Sequence, residues 1–422
     1  MNTKANVIKS FAVAAATLTA TACFADGIIV SDVTYTQTAN RQVVINYKLT
    51  GSESAVVTID ILTNGVSIGE QNFTRLSGDV NTIVAPSATD TKRIVWKATK
   101  DWPNHKIDSG VTVKVSARAL TNPPDYFVLD LATGDRKYYN STNALPDGGL
   151  ANDIYKTTKL VMRRIPAGGE TFLFGWPPDE QSYQANLAFP QHDVSFNDDY
   201  YMAIYEMTEG QYATVWPTDN RGSSAGRDSR LPVNLMYYTK LRGTGKSWPA
   251  DLHEIADADR ASCFIGKIRD VTGDAVQFDL PTEAQWEYAC RAGTMTMYYN
   301  NITWATRGQL PNILWHQDWV SAQQNVGLLI PNSFGLYDML GNVFELCLNV
   351  WGTGSGVSDG SAAVEPVGPS GTASSYRTIR GGDVTTAKAC CVHERQIREL
   401  GAQREQGLAA TLFRAGRGCI PC

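Results

Sequence analysis

The chain has 422 residues, of which 43% are apolar and 19% charged. That composition excludes a disordered chain, and the length exceeds what one hydrophobic core usually serves, so two or three domains are expected. The formal net charge of −5 argues against nucleic-acid binding, which normally requires a basic face.

Residues 1–25 differ from everything after them. Lys4 and Lys9 give a positive start, Phe11 to Ala22 is uncharged, and Cys23-Phe24-Ala25 puts a small residue before Asp26. This is the layout of an export signal, with cleavage expected after Ala25. The apolar run is too short to span a bilayer. A lipoprotein alternative would use Cys23 as the lipid carrier, although the preceding Ala20-Thr21-Ala22 lacks the usual leucine. No later segment is long and apolar enough to cross a membrane. The expected location is therefore the periplasm, the cell surface or the medium. Export permits disulfides. Seven cysteines follow the leader, namely Cys263, Cys290, Cys347, Cys390, Cys391, Cys419 and Cys422. An odd number implies at least one free or intermolecular thiol.

Residues 26–120 read as strands. Val43, Ile45, Tyr47 and Leu49 alternate with Val44, Asn46 and Lys48, and Val57, Ile59 and Ile61 with Thr58 and Asp60. Val111, Val113, Val115 and Ala117 do the same against Thr112, Lys114 and Ser116. Alternation with period two means one buried and one wet face. Turns carrying Asn-Gly and Ser-Gly separate the strands. An all-β, immunoglobulin-like sandwich is expected, acting as a spacer or adhesion module, since no catalytic residue types cluster there. Residues 121–155, with "TNPPDY" and "NSTNALPDGG", are expected to be linker and surface loop.

From residue 156 the texture changes to mixed helix and loop. Two helix starts are marked by capping-box spacing, Thr208 with Gln211 and Thr282 with Gln285. Tyr212, Val215 and Trp216 share one face of the first helix. Trp286, Ala289 and Cys290 form a buried stripe on the second, with Gly293 as its natural stop.

Six segments in order carry a resemblance: "LVMRRIPAGGETFLFG" from 160, "DDYYMAIYEMTEGQYATVW", "LPVNLMYY", "LPTEAQWEYACRAGT", "PNSFGLYDMLGNVFELCLN" and "RTIRGGD", ending near "LFRAG" at 416. Together they resemble the formylglycine-generating enzymes, or sulfatase-modifying factors. The resemblance implies an α+β, C-type-lectin-like domain over 156–418. It also implies a pocket in which two cysteines bind copper and oxidise a substrate cysteine to formylglycine. Thiolate is the ligand, and two soft sulfurs favour Cu(I). The first cysteine position falls on Thr386, which cannot supply a thiolate, and the second on Cys391. Where those enzymes carry a serine after the Arg-Gly-Gly motif, Asp383 stands here. Cys390 is a poor substitute for the missing ligand, because adjacent side chains diverge. Copper is thus not expected, and Cys391 reads as a small buried hydrophobe sooner than as a catalytic thiol.

A related branch of that superfamily holds non-haem iron through histidines. The five here, His105, His192, His253, His316 and His393, show no i, i+4 pair, and the attached domain is β rather than helical. The tail 419–422, "CIPC", reads as a disulfide sooner than half a zinc site.

"GLYDMLGNVFELCLN" sets Asp338 and Glu345 in an otherwise apolar run. Buried carboxylates need a partner. An arginine such as Arg380 or Arg414 is one candidate. The resemblance implies another, calcium held by the side chains of Asp338 and Glu345 and the carbonyls of Gly341 and Val343. Two functions therefore stand side by side. One is an exported binding protein for a carbohydrate or peptide ligand. The other is a copper-dependent oxidase making formylglycine, or a remodelled enzyme of that superfamily.

Overall fold

The computed structural model describes residues 27–105, 107, 110–175, 191–219, 228–234, 236–244, 247–249, 254–350, 362–371, 376–384, 395–397, 408–409 and 413–414. Two compact units divide the chain: 1–124 with 137–150, and 125–136 with 151–421. Among the described residues no helix is long and apolar enough to cross a membrane.

In the first unit two antiparallel sheets share one core. The first runs Ile29–Gln37, Val43–Thr50, Lys92–Trp96, Leu76–Gly78. The second centres on Ala55–Thr63, which pairs along its whole length with Val111–Ala119, from Ala55 opposite Ala119 to Thr63 opposite Val111. Val66–Ser67 and Thr82–Val84 pair on its other side. The alternation seen in the sequence places Val43, Ile45, Tyr47 and Leu49 in the same core as Ile59, Ile61, Val113 and Val115. Each such side chain contributes about 1.5–3 kcal/mol by leaving water. Asn64 and Gly65, both at positive φ (50° and 80°), close the hairpin between Ala55–Thr63 and Val66–Ser67. Thr58 was expected on a wet face and is buried. Residues 137–150 pack near this outer face. The Tyr138 amide donates to Asn81, the Ser141 hydroxyl to Glu70, and Tyr139 lines a small cavity with Thr58.

The expectation of a linker over 121–155 therefore needs correction, and in the second unit as well. Tyr126–Asp130 is a strand there, paired antiparallel with Lys159–Ile165 and burying Phe127 and Leu129. Beyond it the turn at Gly134 lies against the end of helix Phe264–Val271. A Cβ on Gly134 would come within 2.1 Å of the Val271 carbonyl oxygen, and φ there is +79°. Only glycine satisfies both conditions. The same sheet continues through Tyr200–Ala203, Phe413–Arg414 and Phe278–Asp279. A second sheet places Phe344–Val350 between Arg377–Arg380 and Leu408–Ala409.

Both helices start as their spacing predicts. Thr208 and Gln211 form a complete capping box on Glu209–Val215, and Thr282 and Gln285 form one on Glu283–Arg291. The second helix stops one residue earlier than the glycine rule suggests, since Ala292 already adopts the left-handed conformation with φ 48°. Trp286, Ala289 and Cys290 face the core as expected. Cys263, Cys290 and Cys347 are all buried, and no disulfide joins any two of them. Cys390, Cys391, Cys419 and Cys422 lie outside the described residues.

The Gly134 contact has a measurable cost. Gly134→Ala should destabilise the second unit by about 1–3 kcal/mol through strain and the forced displacement of a helix end. Gly169→Ala, also at φ +79° but with no atom near its Cβ, should cost less. Thermal unfolding of the pair measures the difference attributable to close approach.

Candidate functional site

The loop from Tyr337 to Val343 is held at both ends by main-chain bonds. The Tyr337 amide donates to Ile204, the Gly341 amide to Gly381 (2.9 Å), and the Trp315 amide to Leu340 (3.1 Å). Gly341 has φ +82°, and a Cβ would come within 2.0 Å of the Trp315 carbonyl oxygen. Asp338 and Asn342 also sit at positive φ, 56° and 62°. Asp and Asn tolerate that region better than other non-glycine residues. So a chain that must turn tightly against Trp315 carries Asp, Gly and Asn at these places.

Three carboxylates are buried around this loop. Asp338 is 0% exposed, and Glu345 and Glu206 1% each. The Trp315 indole N–H donates to Asp338 Oδ1 (3.0 Å), and the Gly327 amide to Oδ2 (2.5 Å). The Trp286 indole N–H donates to Glu345 Oε2 (2.9 Å). Glu206 accepts from the Asn342 side-chain amide (2.7 Å) and the Val343 main-chain N–H (3.3 Å). Burial pushes Asp338 up to about 6, against the pull of Gly327 and Trp315. Burial, reinforced by the charge of Asp338, pushes Glu345 up to about 8 against the bond from Trp286. Glu206 is raised well above the carboxylate range by burial and then by the charges of Asp338 and Glu345. Desolvation penalises the ionised form, and like charges add to the penalty.

The arginine expected near Glu345 is used elsewhere. Arg380 stands opposite Glu345 in the strand register, yet its guanidinium contacts Glu283 and lies 3.3 Å from Glu287. Those acids belong to helix Glu283–Arg291, whose own Arg291 pairs with Glu287 at 2.8 Å. The helix's acidic face draws Arg380 toward it. The Arg414 side chain is outside what is described.

Among the described residues no three Asp, Glu, Cys or His side chains converge on one metal position. A cation at this loop must therefore draw on main-chain oxygens as well as carboxylates. The carboxylate oxygens of Asp338, Glu345 and Glu206 are hard donors, the kind that suits calcium and not copper. Glu206 escaped the sequence reading. Its signal was the one that exposed Asp338 and Glu345, an acid inside the apolar run "YYMAIYEM".

The positions matching the copper cysteines, Thr386 and Cys391, lie outside the described residues, as do Cys390 and His393. Asp383, just before them, is described and 6% exposed. It follows Gly381 and Gly382, at φ 81° and 80°. The described histidines do not gather: His192 and His316 are buried on different segments and His105 is in the first unit.

The family profile "Sulfatase-modifying factor enzyme 1-like domain" matches residues 155–408. The chain belongs to this family, that of the formylglycine-generating enzymes. It is 31% identical over 129 residues to the formylglycine-generating enzyme of Mus musculus, covering 28% of this chain and 32% of that one. With the formylglycine-generating enzyme of Thermomonospora curvata it is 30% identical over 149 residues, 32% of this chain and 48% of that one. The chain thus spans about a third to about half of the length of these relatives. Treponema denticola variable protein 1 superposes with a TM-score of 0.46 at 20% identity, over 61% of this chain and 95% of that one.

Raised carboxylates set the pH response of the metal-free protein. Each binds more protons folded than unfolded, so its contribution to stability is fully present below its unfolded value and is lost as pH rises through the folded one. The window runs from the ordinary 3.8 and 4.5 up to about 6 for Asp338 and about 8 for Glu345. In a chelator, the thermal midpoint should fall across that window, and Glu345→Gln should flatten its upper part. Calorimetry at a series of pH values checks both.

Proposed function

We propose that this protein is a binding member of the family that does not generate formylglycine. The observation that carries this reading is Thr386 at the first copper-cysteine position implied by the family resemblance. A threonine hydroxyl is a hard, weakly acidic oxygen and cannot act as a soft thiolate ligand or form the sulfur-linked substrate complex. Asp383 supports it, because a buried carboxylate has replaced the hydroxyl expected near the substrate. With threonine at the first position, the cysteine pair implied by the resemblance is incomplete at Cys391.

The same proposal assigns a structural calcium ion to the side chains of Asp338 and Glu345 and the carbonyls of Gly341 and Val343. Its support is the burial of both carboxylates, whose charge a divalent cation would balance. The two carboxylates would give up their protons to the ion, and the loop would be locked against Trp315. The chain is further read as exported after Ala25, with the first unit an immunoglobulin-like spacer that presents the second to a carbohydrate or peptide ligand.

Two measurements test this. A peptide with the Cys-x-Pro-x-Arg sulfatase motif, incubated with the protein, copper and oxygen, should show no conversion of its thiol to aldehyde by mass spectrometry. Turnover that disappears in Cys391→Ala would establish the oxidase instead. Purified protein should contain calcium, and its thermal midpoint should drop when calcium is chelated. Glu345→Gln should melt at nearly the same temperature with and without the chelator.

A further inference from the structure

We infer that Glu206 is the residue that positions the calcium loop. This rests on the calcium reading above. Glu206 lies far from the loop in sequence, at the end of the apolar run that forms strand Tyr200–Ala203. In space its carboxylate, 1% exposed, meets Asn342, which lies between the two proposed carbonyl ligands, and Val343, which is one of them. One oxygen accepts from the Asn342 side chain at 2.7 Å and the other from the Val343 amide at 3.3 Å. The peptide between Asn342 and Val343 is therefore pinned from both sides, because its carbonyl accepts from the Val384 amide at 3.3 Å. The peptides that carry the Gly341 and Val343 carbonyls flank that fixed plane.

Asn342 is itself held at φ +62° by more than Glu206. Its Oδ1 accepts from the Gln324 amide (2.9 Å), and its Nδ2 also donates to the Gln324 carbonyl (3.1 Å). Glu206 thus anchors a side chain that ties the loop to segment 322–326 in a conformation that side chains rarely adopt. No three acidic side chains converge on one point among the described residues, so Glu206 acts through the loop and not as a ligand. Partners of this kind orient the ligands, and their loss typically weakens metal binding by about 10- to 100-fold.

The experiment is calcium titration by isothermal calorimetry on the full chain, comparing wild type with Glu206→Gln and Asn342→Gly. Gln keeps an acceptor for the Val343 amide and replaces the acceptor facing the Asn342 side-chain amide with a donor. Gly tolerates the positive φ at 342 and removes the bond to Glu206. Circular dichroism in chelator establishes that each variant folds. Wild type should bind calcium, and Glu206→Gln should bind it about 10- to 100-fold more weakly. Asn342→Gly should also bind more weakly. A folded Glu206→Gln with wild-type affinity overturns the inference and leaves the calcium reading standing. If Glu206→Gln does not fold, wild-type affinity in Asn342→Gly overturns it equally. Wild type that binds no calcium overturns both.

Discussion

The second unit is organised around the cost of burying charge. Asp338, Glu345 and Glu206 sit at 0–1% exposure around a single turn of chain, and indole N–H groups from Trp315 and Trp286 reach two of them. An unpaired carboxylate in such a place is worth several kcal/mol of instability. Much of the surrounding architecture follows from containing that cost. Trp315 is held against Gly341, Trp286 projects from the helix that packs beneath, and Asn342 links the loop to Glu206.

Helix Glu283–Arg291 connects this loop to the rest of the unit. Its capping box fixes where it starts, and the Asn349 side chain accepts from the Glu283 amide at 2.7 Å. From that fixed start Trp286 points to Glu345, while Glu283 and Glu287 take Arg380. One turn on, Arg291 and Glu287 bind the carbonyl and the amide of Gly175. A single short helix thereby joins three segments distant in sequence. Buried ion pairs of this kind add little net stability against an apolar alternative, yet removing one partner is expensive.

How much could be read without coordinates differs between the two units. In the first, alternation in "RQVVINYKLT" and "VTVKVSAR" named the buried faces correctly, because period two in a strand leaves no choice of side. Thr58 broke the pattern, since what lies against it comes from residues 137–150, and no local periodicity reports a neighbour so distant in sequence. The same gap hid the strand Tyr126–Asp130 inside a segment whose prolines and asparagines read as linker.

In the second unit the capping boxes were legible because a cap is a matter of four consecutive residues. So was the anomaly of Asp338 and Glu345, because an acid in an apolar run is conspicuous by itself. The sequence alone determined that these acids need partners and that one copper-cysteine position holds threonine. Which partner each acid meets was decided only by tertiary structure. Arg380 faces Glu345 across the strand pair yet reaches the helix acids, and Glu206 arrives from a strand more than a hundred residues earlier. Local spacing encodes which groups must be satisfied. Which group satisfies them depends on long-range packing, and the energy of a buried charge is set by neighbours that sequence order does not reveal.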